Sequence, residues 1–204
     1  MLFAFRRRAF LARAPGTAAA LNLLLGMIPT LHAAAPATQD DGLSGLCRTD
    51  ELPQDIRGSL SRNFSAWKIQ EPADLNVGAR TRWGAERPLT CPGIAIGRFQ
   101  DPKSSSYALL IIPADHSSNA FRLLIYSRAS GQFYGFKAVA ESPSGGSDLF
   151  ISAVPTVQFF EATAKVAARS KIPEAVMLVD STATQALLYV WADMNYERQQ
   201  VNYR

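Results

Sequence analysis

Apolar positions along this chain fall into two regimes. Before residue 85 they recur at helical or broken spacing, and from residue 92 onward they gather into short runs separated by polar turns. In the first regime Ile56, Leu60 and Phe64 follow Pro53 at a spacing of four. Pro suits the first turn of a helix, where its missing N–H costs nothing, so a helix is predicted from about Leu52-Pro53 to Phe64. Such a helix has one apolar face to lay on a sheet. Trp67-Lys68-Ile69 reads as a bridge or edge strand, and residues 72–85 as a second short helix starting at Pro72 and weakened by Gly78.

The second regime reads as strands. Ile94-Ala95-Ile96 is bounded by glycines, and residues 107–112 form a continuous apolar run of strand length. An uninterrupted run, rather than an alternating one, implies burial on both faces. Residues 121–126 follow the polar turn 115–119, and residues 132–139 follow Ser130-Gly131. Aromatic and branched runs between Gly, Ser and Asn turns describe an antiparallel meander. Residues 142–147, Ser-Pro-Ser-Gly-Gly-Ser, are a loop.

Residues 149–170 support two readings. Val157, Phe160, Ala164 and Ala167 lie at helical spacing behind Pro155, whereas Thr156-Val157-Gln158-Phe159-Phe160 would serve as a strand. The preferred expectation is a strand at the front with a loose helix or loop behind it. Three further strands close the chain at residues 176–179, 186–191 and 196–203, joined by turns at 180–184 and 193–195. Glu197, Arg198, Gln199 and Gln200 stand in a row in the last of these, which marks an edge protected from pairing by its charges. The pattern predicts an α+β fold: one domain over residues 47–203, a mostly antiparallel sheet, and one or two early helices.

Charge alters this picture only at the N-terminus. Of 21 basic residues, Arg6, Arg7, Arg8 and Arg13 precede residue 36, and none of the 17 acidic residues does, so the remainder is balanced. With no basic run left to neutralise phosphates, nucleic-acid binding has no electrostatic support. The basic start, the Ala/Leu-rich stretch from Thr17 to about Leu31 and the small residues Ala33-Ala34-Ala35 make residues 1–35 a signal peptide, cleaved between 33 and 37. The apolar stretch is interrupted by Gly26 and Pro29 and falls short of the about 20 residues that a membrane span needs. Arg7-Arg8-Ala9-Phe10-Leu11 resembles the twin-arginine export motif, without the usual preceding Ser/Thr and following Lys. Both that route and the general one stay open. Residues 36–46 are a flexible linker, and no transmembrane anchor is expected after them. The expected location is periplasmic or secreted.

Export gives the cysteines a meaning. Cys47 and Cys91 are the two in the chain, and in an oxidising compartment a disulfide between them is the default, against two unpaired buried thiols. Closing that loop would contribute about 4 kcal/mol on the chain-entropy model. Two cysteines and one distant histidine make no zinc site.

No catalytic motif assembles. His116 lies beside Asp115 and Ser117, but sequence neighbours do not present side chains to one another in triad geometry, and no G-x-S-x-G elbow accompanies them. It reads as a solvated turn histidine. Glu71, Asp74, Asp180 and Asp193 are available for a carboxylate pair, whose separation only a fold can set. Gly145-Gly146 lacks the lysine and helix of a phosphate loop. Trp67, Trp83, Arg80 and Arg82 are the candidate partner surface, since aromatics with nearby arginines can bind a sugar or an anion; Trp83 also reads as a core plug.

Two resemblances attach to these residues. Gly97, Phe99, Tyr107 and Ala108 frame a segment that resembles a degenerate FG-GAP loop of integrin-like propellers, which implies two strands joined by a calcium-binding turn. Of the aspartates that bind the metal, Asp101 alone is present and out of phase, so no metal is expected, since calcium takes six to eight oxygens. The order of an early helix, Trp67, Cys91-Pro92-Gly93, Tyr107-Ala108-Leu109-Leu110 and Leu188-Tyr189-Val190-Trp191 resembles uncharacterised secreted proteobacterial proteins. The expected function is a non-catalytic binding domain, such as an inhibitor, immunity or envelope accessory protein, with a protein or envelope component as partner and no cofactor. The alternative is a small envelope hydrolase using a carboxylate pair.

Overall fold

A continuous apolar run flanked by turns can bury both faces only if something covers each side, and this requirement organises the molecule. The structure, a computed structural model, describes residues 45–87, 90–128, 134–159 and 170–203. The expected signal peptide, most of the linker, residues 132–133 and the expected helix or loop over 160–169 lie outside these.

The first sheet contains β1 (Trp67–Ile69), β2 (Ile94–Gly97), β3 (Ser106–Pro113), β4 (Phe121–Arg128) and β5 (Tyr134–Ser142). The second is a meander of β6 (Leu149–Pro155), β7 (Glu174–Asp180), β8 (Gln185–Ala192) and β9 (Asn195–Asn202). Every pairing is antiparallel. Helix α1 (Gln54–Asn63) and helix α2 (Val77–Glu86) complete the fold, which is α+β as the pattern predicts.

Side chains alternate across a strand, so each strand serves two cores. Ala108, Leu110, Leu123 and Ile125 face Leu149, Ile151, Val176 and Leu178 between the sheets. On the outer side of the first sheet, Leu109, Ile111, Leu124 and Tyr126 receive Ile56 from α1 and Leu52 and Phe64 from the residues that flank it. On the outer side of the second, Phe150, Met177, Leu188 and Val190 receive Ala79 and Trp83 from α2. The layers run helix, sheet, sheet, helix. This explains why residues 107–112 are apolar without alternation: β3 lies beneath a helix and above a sheet.

β1 and β2 lie end to end along one edge of β3. Gln70 N–H donates to Leu110 O at 3.0 Å, and Leu110 N–H donates to Gly93 O at 2.9 Å, so Leu110 bridges the two short strands. A Cβ on Gly93 would stand 2.4 Å from Gln70 O, a close approach that glycine alone permits. Cys47 and Cys91 are joined by the expected disulfide, with Cα atoms 4.8 Å apart. Its sulfurs rest 3.5 and 3.6 Å from Gln70 O, at the same junction. The bond ties the segment leading into α1 to the start of β2.

Two expectations change. The second helix begins at Val77, because residues Pro72–Asp74 form a separate 3-10 turn and Asn76 Oδ1 then caps α2 by accepting from Ala79 N–H at 2.8 Å. Gly78 thus falls in the first turn, where it does not interrupt the helix. The strand expected over 156–160 lies earlier, as β6, while Thr156–Phe159 is a 3-10 turn. Pro155 has no N–H to extend the ladder, and Thr156 turns the chain by donating to Ile172 and Pro173 carbonyls. β9 is the terminal strand of its sheet, as its charges predict.

Candidate functional site

At one end of the sandwich the loop entering β6 is held from three sides. Gln70 Nε2 donates to Gly146 O at 2.8 Å, and Gly146 N–H donates to Asn119 O at 2.8 Å. Asn119 Oδ1 accepts from Ser147 N–H at 2.6 Å, Asn76 N–H donates to Ser147 O at 3.0 Å, and the Asn76 amide donates to Asp148 Oδ1. Gly145 has a φ of 96°, the left-handed region that glycine occupies without strain. Serine and asparagine dominate here because short polar side chains can satisfy turn backbone groups.

This loop walls a cleft of about 360 Å³ between the sheets. Phe121, Leu149, Leu178, Ala186 and Leu187 supply apolar surface, while Asp148, Asp180, Gln185 and Gln200 supply polar groups. The size and the mixture suit part of a small ligand or a partner's side chain. Asp180 Oδ1 accepts from both the N–H and the hydroxyl of Thr182, at 2.8 and 2.6 Å, so one carboxylate oxygen is engaged by its own turn. Gln200 Nε2 donates to Gln185 Oε1, joining two polar positions of adjacent strands.

The β3–β4 turn brings a second group of charges to the same end. Asp74 Oδ1 lies 2.8 Å from Lys68 Nζ and 3.6 Å from His116 Nε2, and Asp74 Oδ2 accepts from Glu71 N–H at 2.8 Å. The Asp74 side chain is only 4% exposed, while that of His116 is 58% exposed. His116 has a φ of 53°, uncommon for a residue with a Cβ. The reading of His116 as a solvated turn residue describes its exposure but misses this carboxylate, which stands 42 residues earlier in the chain. Nothing in the local sequence could have revealed it.

Of the candidate partner-surface residues, Arg80, Arg82 and Trp83 share α2, where each is engaged within the fold, and Trp67 lies on β1. Trp83 is 1% exposed within the core under α2. Arg80 donates to the carbonyls of Pro72, Ala73 and Leu75, fastening the turn before its own helix. Arg82 pairs with Glu86, donates to Asp180, Ala183 and Tyr203 carbonyls, and stands 5.0 Å above the Tyr203 ring. Trp67 lies in the other sheet with the Arg122 guanidinium 4.9 Å from its ring. Of the four carboxylates singled out from sequence, Asp180 reaches the cleft, together with Asp148, which was not among them.

The segment over residues 97–108 closes the β2–β3 hairpin. Phe99 folds back beneath Gly97, where a Cβ would stand 2.5 Å from the phenyl ring. The Lys103 N–H, then the Ser104 hydroxyl, hold the Asp101 carboxyl below its ordinary pKa. Elsewhere, burial pushes the Tyr196 phenol up to about 12, and burial with the adjacent Glu86 carboxylate does the same to Tyr203. Among the described residues no group of three or more His, Cys, Asp and Glu is placed to hold a metal ion, and no helix is long and apolar enough to cross a membrane. Compared with protein-family models, curated proteins and solved structures, the chain matches none.

Proposed function

We propose that this protein is an exported, non-catalytic binding domain, an inhibitor, immunity or envelope accessory protein, which receives part of a partner in the cleft between its sheets. The carrying observation is that cleft: an apolar lining of Phe121, Leu149 and Leu187, a polar lining of Asp148, Asp180 and Gln185, and a wall fixed by the bonds of residues 146–148. A wall already ordered loses little entropy on binding. Export is supported by the arginines, the Ala/Leu stretch and the small residues of the first 35 positions, and by a disulfide that suits an oxidising compartment.

The test compares capture from an envelope extract by the wild-type protein and by Ala183→Trp, which fills the cleft from its turn. A partner bound by the first and lost by the second supports the proposal. Equal capture by both places binding elsewhere and overturns it. Cell fractionation tests export, and full-length protein in the cytosol would end that part.

A hydrolase is the second reading, because Asp148 and Asp180 line one cleft. It requires turnover of chromogenic glycosides by the wild type that Asp180→Asn abolishes.

A further inference from the structure

A different face collects positive charge. Arg57 and Arg62 on α1 and Arg128 at the end of β4 line a broad depression of about 950 Å³, with Gly58 and Ser61 between them. None of these three arginines forms an ion pair among the described residues. Elsewhere Arg48 pairs with Asp50 and Glu51, Arg82 with Glu86, Arg98 with Glu174, and Arg122 with Glu141, while Arg80 is engaged by backbone carbonyls; the depression differs in gathering three arginines without an ion pair in one place.

Asp55 also lines the depression, and its oxygens are occupied by backbone. Oδ1 accepts from Ile56 N–H at 3.1 Å and Oδ2 from Tyr134 N–H at 2.9 Å. Two of the three arginines are oriented by contacts. A Cβ at Gly58 would stand 3.1 Å from Arg62 Nη1, so the guanidinium lies along the helix over the glycine. The Arg128 guanidinium stands 4.8 Å from the centre of the Tyr134 ring, a cation–π contact that orients it.

We infer that this depression binds a phosphate-bearing ligand, through the terminal phosphate oxygens. Three guanidiniums against one carboxylate leave a net positive site that a dianion neutralises. Planar guanidinium groups pair bidentately with phosphate oxygens, and such charge-assisted bonds are about twice as strong as neutral ones. Ser61 offers a hydroxyl donor on the same helix face, and the lack of a side chain at Gly58 lets the Arg62 guanidinium lie close against the helix. The site goes beyond the cleft and does not depend on it. The ligand chemistry fits a soluble phosphomonoester or a lipid with a phosphomonoester headgroup.

The experiment measures binding of inorganic phosphate and pyrophosphate by calorimetry, and of phosphatidylcholine vesicles with and without phosphatidic acid by co-sedimentation. Arg62→Gln and Arg128→Gln are each expected to weaken binding about tenfold, since each removes one charge-assisted pair. Gly58→Ala keeps the charge and the helix while displacing Arg62, and should also weaken binding. Saturable binding of the soluble anions identifies a free phosphate ligand, and binding confined to phosphatidic acid vesicles identifies a lipid headgroup. Absence of binding in both arms, or equal binding by all variants, would overturn the inference.

Discussion

Asp74 meets Lys68 at 2.8 Å with its carboxylate almost wholly withdrawn from water, so the pair is a partly buried ion pair and not a surface one. Its cost and its gain are therefore asymmetric: removing the cation strands a desolvated anion. Lys68→Met is expected to lower stability by about 1–3 kcal/mol. Asp74→Asn should cost less, because Glu71 N–H can still find an oxygen. Urea unfolding of the two single variants and the double variant measures the coupling, and strict additivity would show that the pair is not the cause.

The disulfide should dominate stability. Cys47 and Cys91 are 44 residues apart, and cross-linking a loop of that size removes about 4 kcal/mol of unfolded-state entropy in the chain-entropy model. Replacing both with serine should reduce the unfolding free energy by roughly 3–4 kcal/mol. Thiol titration of denatured, unreduced protein should detect no free sulfhydryl; two per chain would refute the bond.

Gly93 and Gly84 should respond in opposite senses to alanine. At Gly93 the new methyl would strike the Gln70 backbone at 2.4 Å, where β1, β2 and the disulfide meet, so a loss of about 2–4 kcal/mol is expected. At Gly84, inside α2, a Cβ meets nothing within 4 Å. There alanine should add roughly 0.5–1 kcal/mol through helix propensity and a less flexible unfolded chain. Thermal midpoints of the two variants check the contrast.

Alkaline pH should destabilise the protein through its buried tyrosines, over the same range in which surface lysines titrate. Burial raises Tyr196 and Tyr203 from 10 to about 12. Below pH 10 both phenols are protonated whether folded or unfolded. Between 10 and 12 the unfolded chain releases protons that the folded chain retains, so stability falls as pH rises through that window. Tyr196, the more deeply buried, should account for roughly 2 kcal/mol of the loss. Urea midpoints from pH 9 to 11.5 should decline less steeply for Tyr196→Phe than for the wild type; identical slopes would contradict the assignment.

The elements themselves were largely legible. Period-four spacing at Ile56, Leu60 and Phe64 and unbroken runs such as residues 107–112 and 176–179 report local geometry, which neighbouring residues determine. The strand expected over 156–160 was misplaced because Val157 and Phe160 fit both a strand and a helical spacing, and the decisive constraint is Pro155 ending a ladder with Glu174. The polar loop 142–147 was recognised as a loop, but its several tethers come from Gln70, Asn76 and Asn119, far away in sequence.

By itself, the sequence determined the α+β class, the antiparallel pairing of neighbouring runs, the edge character of β9 and the identity of the disulfide, since two cysteines have one partner each. The tertiary structure decided how the nine described strands divide into two sheets, which faces meet, and therefore every site. Asp74 with His116, Asp148 with Asp180, and Arg57 and Arg62 with Arg128 are each assembled across stretches that no period connects. Strand formation is a local consequence of alternation and turn chemistry, whereas stacking depends on which long-range pairing buries the most apolar surface, and that is a property of the whole chain.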